Sequence, residues 1–376
     1  MFRIFAWRLL WHEKGRNALA VGGIFIAVLM IFLQLGFYFA APKGGMQVYN
    51  QLRFDLLMTA SSYVFQAQSY NFPRRRLYQA LSLPEVSSVA PFYQSEASWL
   101  SPEDRVRRDV FVMAFNPADD VFNLDEIERQ REVVTHPDTV LVDTGTLAAY
   151  GLQQPGRLVE IGERAVAIGG RYSVGTGFLG LGVVLTSDLN FVRIFPDRSL
   201  ATVNLGLIRL KPDADPVEVA AKLREILPAD TKIFTRPELE AQEADYWRSR
   251  TPTGLIFGFG VVISIVVGAV ILYQTMATQV IRHLAQYATL KAIGYADSYL
   301  RAVVVVMAMT LASIAFVPAL VGALIAYDKI TVVTRLPVEM TVARIAAVLM
   351  MSLAMSAVSA LVAVRILRRA DPADLF

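Results

Sequence analysis

The sequence predicts an α-helical membrane protein of four transmembrane spans, with a large α+β domain inserted between the first span and the second. Three observations carry this. Four stretches, about 18–41, 251–278, 302–327 and 345–364, contain no Asp, Glu, Lys or Arg, and each reaches the roughly 20 residues that a helix needs to cross a bilayer. The residues between the first two stretches are of mixed polarity, with short strand-like and helix-like runs. The composition also lies between two extremes: 55% of the 376 residues are hydrophobic, too many for an ordinary soluble domain, yet 18% are charged, too many for a chain lying wholly in lipid.

Residues 1–17 carry Arg3, Arg8, Lys14 and Arg16 against the single acid Glu13, with Phe2, Phe5, Trp7 and Leu9 giving a partly apolar helical face. This predicts an amphipathic helix lying on the inner membrane surface. The first span, 18–41, runs for roughly 36 Å as a helix, longer than the apolar core of a cleaved signal peptide. Its basic flank places the N-terminus in the cytoplasm and the inserted domain outside. Four spans then return the C-terminus to the cytoplasm.

The inserted domain is expected over 42–250. Arg53–Ala60 reads as a strand, Pro73–Leu81 as a helix opening on proline, and Val86–Tyr93 as a second strand. The same order recurs in Leu205–Leu210, Pro216–Leu227 and Lys232–Thr235, which suggests two halves of one layered subdomain. Between them, Val110–Ala114, Thr139–Val142, Leu158–Ile161, Ala165–Ile168 and Gly182–Leu185 predict a mostly β insertion. Leu239–Arg250 is polar and helix-prone, a stalk leading to the second span, which Pro252 opens from the first helical turn. A loop over 279–301 joins spans two and three, a short polar outer loop over 328–344 joins spans three and four, and 365–376 forms a basic tail.

Within the loop after span two, Val280, Leu284, Tyr287, Leu290 and Ile293 recur at steps of three or four and make one apolar stripe of a helix over Gln279–Tyr295. Gly294 stands where such a helix ends in a left-handed residue. A short amphipathic helix tied to a span can pass force to a partner on that side; it can equally lie on the lipid surface.

Several chemistries find no residues. There is no GxxxxGK[ST] loop to cradle nucleotide phosphates, and the glycine-rich Gly175–Gly182 lacks a lysine, so it is read as a flexible loop. There is no cysteine, and His12, His136 and His283 fall in separate segments without metal-ligand spacing. No catalytic residue, resident cofactor or metal site is expected. The net charge of +3 is small and much of the basic excess flanks the spans, which excludes a nucleic-acid reading. Spans without ionisable residues argue against a proton relay or polar conduit and suit helices that relay motion; Gln34 alone is strongly polar in the first. Small residues at Gly254/Gly258 and Ser352/Ser356/Ala360 let helices approach closely, within one subunit or across a dimer. Arg74-Arg75-Arg76 reads as a solvated face.

The order of parts, together with Ala6-Trp7-Arg8-Leu9-Leu10, Tyr246-Trp247 followed by Thr251-Pro252, the inner-loop run Gln286-Tyr287-Ala288-Thr289-Leu290-Lys291-Ala292-Ile293-Gly294, and Ala370-Asp371-Pro372-Ala373, resembles the FtsX-like, MacB-type ABC transporter permease family, and within it the DevC permeases of DevBCA exporters. Asp143–Leu152 resembles a strand-to-helix segment of MacB-type periplasmic domains. The resemblance implies a permease subunit in a bacterial inner membrane, multi-pass with both termini cytoplasmic, paired as a homodimer. It implies a separate ABC ATPase subunit that binds the ATP, a periplasmic membrane-fusion adaptor and an outer-membrane duct. The run from Gln286 to Gly294 would couple to the ATPase, and Tyr246, Trp247 and Pro252 would transmit motion outward to expel a glycolipid or other amphiphile. The family often has an acid at position 286, where Gln286 offers hydrogen bonding instead. An FtsX-like signal relay acting on a periplasmic partner and LolC/E-like lipoprotein release are the alternatives the same resemblance allows.

Overall fold

The computed structural model describes residues 14–365 except 176, 178 and 335. The chain forms two compact units, one made of the sequence up to Ala40 together with that from Pro252 onward, the other of Ala41–Thr251. Most of the N-terminal helix expected over 1–17, with its Ala6–Leu10 patch, lies outside the described residues, as do the tail beyond Arg365 and Arg335.

Helix α1 (Lys14–Gly45) carries the first span. The inserted unit then begins with β1 (Leu56–Ala60), β2 (Phe72–Pro73), α2 (Arg74–Gln79) and β3 (Val86–Leu100). It continues with β4 (Arg107–Phe115), α3 (Asp125–Glu128), α4 (Arg131–Thr135), β5 (Thr139–Asp143), β6 (Leu158–Ile161), β7 (Arg164–Tyr172) and β8 (Val183–Ser187). Helix α5 (Asp188–Ile194), β9 (Thr202–Val203), β10 (Leu205–Leu210), α6 (Pro216–Ile226), β11 (Thr231–Thr235) and α7 (Arg236–Asp245) complete it, followed by a π-helical turn over Tyr246–Arg250.

The two strand–helix–strand halves interleave. Strands β11, β1, β10 and β3 lie side by side in that order, all antiparallel, with α2 between β1 and β3 and α6 between β10 and β11. This is the split βαβ arrangement, in which neither half can complete a sheet alone. The strand expected to stop at Tyr93 runs on to Leu100 because its second part pairs with β4, from Phe92↔Phe115 to Leu100↔Arg107. From there β4 pairs with β8, β8 with β5, β5 with β7, and β7 with β6. Strand β6 returns to β3 at Trp99↔Ile161, so six strands close into a ring and expose no free edge there.

Strand β4 shows why such a run must be buried on both faces. Val110, Val112 and Ala114 belong to one apolar cluster, while Phe111, Met113 and Phe115 belong to another. Alternate side chains point to opposite sides of a strand, so a sequence apolar at every position needs cover on both. Asp143, fully buried at the end of β5, accepts hydrogen bonds from the backbone N–H groups of Gly145, Val174 and Gly175 at 2.6, 3.0 and 2.9 Å. Those contacts satisfy a carboxylate whose pKa burial raises. Of the arginine run, Arg76 pairs with Asp230 at 3.0 Å and Arg74 donates to the Tyr78 hydroxyl.

The other unit adds α8 (Pro252–Arg282), α9 (Leu284–Ala292), α10 (Asp297–Thr334) and α11 (Val342–Val364) to α1. Among the described residues, α1, α8, α10 and α11 make four helices that are long and apolar enough to cross a membrane. Small residues permit the packing within this chain: Ser352, Ser356 and Ala360 are fully buried, and Ser359 donates to the Ala269 carbonyl at 2.8 Å. A Cβ at Gly258 would sit 3.5 Å from the Tyr38 ring, and one at Gly260 would strike the Gln34 amide. Gln34 therefore faces α8 rather than lipid. Arg344 departs from the expected position in a loop: α11 begins at Val342 and encloses it in its first turn, nine-tenths buried. The guanidinium donates to the Glu339 carbonyl and lies 5.6 and 5.7 Å from the ring centroids of Phe39 and Tyr327.

Candidate functional site

The segment expected to be one helix over Gln279–Tyr295 is broken once. Helix α8 runs on to Arg282, His283 leaves helical geometry at φ −96° and ψ 16°, and α9 then takes Leu284–Ala292. Its end is a paired cap: Gly294 N–H donates to the Lys291 carbonyl at 3.0 Å and Tyr295 N–H to that of Leu290 at 3.1 Å. Gly294 has φ +101°, a left-handed conformation that closes the helix without a Cβ penalty.

The apolar stripe divides. Val280 and Tyr287 are buried in the core of the helical unit and Leu290 packs against it, whereas Ile293 is 70% exposed. Ile293 is the C-cap, the last residue before the chain turns at Gly294. Gln286, Thr289, Lys291 and Gly294 are exposed as well; the side chains of Leu284, Ala288 and Ala292 lie outside the described residues. The structure thus separates the residues named from the sequence into an anchor, Tyr287 with Leu290, and an outward surface of Gln286, Thr289, Lys291 and Ile293. Burial pushes the Tyr287 hydroxyl up to about 12, and that hydroxyl has no hydrogen-bond partner among the described residues.

Tyr246, Trp247 and Pro252 occupy the junction at the other end of α8. Thr235 and Glu238 form a reciprocal capping box that starts α7. The helix widens to a π turn at Tyr246–Arg250, Thr251 donates to the Trp247 carbonyl at 2.8 Å, and Pro252 opens α8. Inside the inserted unit, Phe65 stacks on Tyr246 with centroids 4.3 Å apart and meets Trp247 edge-on at 5.6 Å.

Sequence reading missed the centre of this junction. Glu243 is completely buried and accepts from the Tyr63 hydroxyl and, at 3.2 Å, from Trp247 Nε1. With the Tyr63 proton committed to Glu243, Tyr49 donates in turn to the Tyr63 oxygen at 2.7 Å. Burial drives the carboxyl pKa up to about 7, against the lowering effect of the bonds from Tyr63, Trp247 and the Gln66 backbone. Gly45, at the end of α1, lies directly on the Trp247 indole and Glu243. Arg236, at the root of α7, donates to the carbonyls of Leu52, Phe54 and Tyr49 at 2.8, 3.3 and 3.4 Å and stacks 4.2 Å over the Phe54 ring. The segment leaving α1 and the one entering α8 are therefore fastened at two places. The available signal was an acid one helical turn before Trp247.

Among the described residues no group of three or more His, Cys, Asp or Glu side chains could hold a metal ion. The geometry at both places is one of anchoring and presentation.

No curated protein sequence matches the chain. The chain is similar to the crystal structure of the periplasmic region of MacB from Actinobacillus actinomycetemcomitans, at 10% identity over 50% of this chain and 91% of that one, with a TM-score of 0.37. It is also similar to the extracellular domain of the noncanonic ABC-type transporter YknZ from Gram-positive bacteria, at 11% identity over 48% of this chain and 99% of that one, with a TM-score of 0.32. A domain of a putative permease protein from Porphyromonas gingivalis shares 14% identity over 41% of this chain and 74% of its own, with a TM-score of 0.28. Residues 258–372 match the family described as FtsX-like permease C-terminal. The matched residues take in most of α8, the capped helix α9 and the later apolar helices α10 and α11.

Proposed function

We propose that this chain is the permease subunit of an ABC-type exporter, moved by ATP that a separate ATPase subunit binds and hydrolyses. The observation that carries the reading is the division of α9. One side is rooted in the helical core through Tyr287 and Leu290, while Gln286, Thr289, Lys291 and Ile293 are exposed on a capped helix. A helix so held transmits a push instead of absorbing it, because packed interiors deform little. In this reading α9 is cytoplasmic, both termini are cytoplasmic, the membrane is the bacterial inner membrane, and a second copy completes a homodimer. The inserted unit works in the periplasm, where Tyr246, Trp247 and Pro252 pass the motion to it. The cargo is a glycolipid or another amphiphile of the DevC-type systems, handed to a membrane-fusion adaptor and an outer-membrane duct.

Co-purification with an ATP-binding subunit tests the coupling. Ile293→Asp places a charge on the exposed surface, so the protein should fold and insert while losing the ATPase. Retention of a stoichiometric ATPase by that variant would overturn the assignment of this surface.

A further inference from the structure

A cavity of about 480 Å³ opens beside β4 of the inserted unit, within the range of roughly 300–1,000 Å³ common to small-ligand sites. Phe111, Tyr150 and Leu179 line it and are buried, while Leu147 and Leu181, also lining it, are 37% and 63% exposed. Leucines turned outward around a hollow are apolar surface without cover.

The walls are fixed in advance. The Tyr150 hydroxyl donates to the Asp109 carbonyl, Trp99 Nε1 donates to the Tyr150 carbonyl at 3.1 Å, and Leu147 N–H donates to the Leu181 carbonyl at 3.0 Å. A Cβ at Gly182 would meet the Tyr150 ring at 2.5 Å, so a glycine is what allows the chain to pass so close. A ligand entering here has little ordering of the protein to bring about.

The charges around the cavity are unequal. The pairings Glu96↔Phe111 and Ser98↔Asp109 put both carboxylates on the face of the sheet that carries Phe111. Arg108, the one basic residue on the lining, is already neutralised by Asp104 at 2.5 Å. Glu96 and Asp109 are exposed and make no ion pair among the described residues. We infer that this cavity binds a compact hydrophobic cation, its apolar body against Phe111, Tyr150, Leu147 and Leu181 and its positive group beside Glu96 and Asp109. The aromatic rings add attraction for the same charge. This site stands on the inserted unit alone and does not depend on the export reading.

The test uses the full chain in lipid nanodiscs, with tetraphenylphosphonium as probe and tetraphenylborate, its anionic counterpart of like shape, as control. Equilibrium dialysis against empty nanodiscs subtracts partition into lipid. Saturable binding of one phosphonium per chain is expected, with the borate at least tenfold weaker. Glu96→Gln combined with Asp109→Asn should weaken the phosphonium about tenfold, the scale of two near-surface charges. Ala149→Trp, which fills the hollow, should abolish the saturable component. Both carboxylates are exposed, so the Gln/Asn variant decides the matter even where the tryptophan disturbs folding. Absence of saturable binding, equal affinity for both ions, or binding untouched by the Gln/Asn pair would each overturn the proposal.

Discussion

Tyr63 and Glu243 meet by a hydrogen bond in the interior of the inserted unit, across 180 residues of sequence. Tyr63 belongs to the turn after β1 and Glu243 to the helix that leads toward α8. With Tyr49 behind Tyr63 and Trp247 on the other carboxylate oxygen, four side chains make one chain of donors and acceptors around a buried acid. Such a network is costly when any member is left unpaired and rigid when all are satisfied. It fastens the segment after α1 to the helix that leads into α8.

The buried acid makes stability depend on pH in an unusual direction. Its folded pKa of about 7 lies above the ordinary 4.5, so between those values the folded chain holds a proton that the unfolded chain has lost. The contribution is therefore complete below about pH 4.5 and fades as pH rises through 7, by on the order of 3 kcal/mol at most. The titratable groups beside it, Tyr49, Tyr63 and Tyr246, all have raised values and stay neutral in this range. Thermal unfolding of the wild type should weaken from pH 5 to 8 relative to Glu243→Gln. Parallel curves for the two proteins would rule out the buried titration.

Replacing Gly45 by alanine should destabilise the protein, by about 1–3 kcal/mol from overpacking. In an open helix the same change stabilises by about 1 kcal/mol, so the sign is diagnostic. The new Cβ would strike Trp247 Nε1 and come within 3.0 Å of Glu243 Oε2. A Gly45→Ala protein with a raised unfolding midpoint would show that the indole does not rest there.

On α9 the structure predicts a split among neighbours. Tyr287→Ala should cost about 3–5 kcal/mol through the cavity it leaves, and Leu290→Asp should impair folding by bringing a charge to packed surface. Ile293→Asp should leave the unfolding midpoint within about 0.5 kcal/mol, as exposed substitutions do. Tyr287→Phe removes a buried hydroxyl that has no partner among the described residues and should be neutral or stabilising. Measured midpoints that rank Ile293→Asp with Leu290→Asp would contradict the observed burial.

The four spans could be read from the sequence because lipid tolerates so few residue types that a charge-free run has almost one interpretation. The two strand–helix–strand halves were also visible, since α2 and α6 both open on or beside proline and both follow apolar runs. Their interleaving was not, because β1 lies between β10 and β11, partners far along the chain whose pairing no local pattern encodes. Strand β3 was cut at Tyr93 where Gln94-Ser95-Glu96 turns polar, although the ladder to β4 carries it on to Leu100. The stripe of α9 was legible, yet its last member, Ile293 at the C-cap, is exposed, because a periodic pattern does not say where the packing partner ends. Glu243 was hard to see as a buried residue because, apart from Trp247 one turn on, what surrounds it comes from residues 45–66, far back in the sequence.

Arg236 gives the last prediction. Its guanidinium serves three carbonyls, at Tyr49, Leu52 and Phe54, and covers the Phe54 ring. Leu52 and Phe54 are buried, so loss of the donor fork takes the guanidinium from their carbonyls, while that of Tyr49 keeps the Leu52 N–H at 3.1 Å. Arg236→Met keeps the stem over the ring and removes the donors, and should cost about 2–4 kcal/mol. Arg236→Lys should fall between, because an ammonium has neither the planar fork nor the stacking surface of the guanidinium. Under the exporter function proposed above, with this fastening passing the motion on, both variants should also lower export at temperatures where they remain folded, with ATPase binding unchanged. Export that follows the folded fraction alone would assign Arg236 to stability and leave the transmission to Glu243 and Trp247.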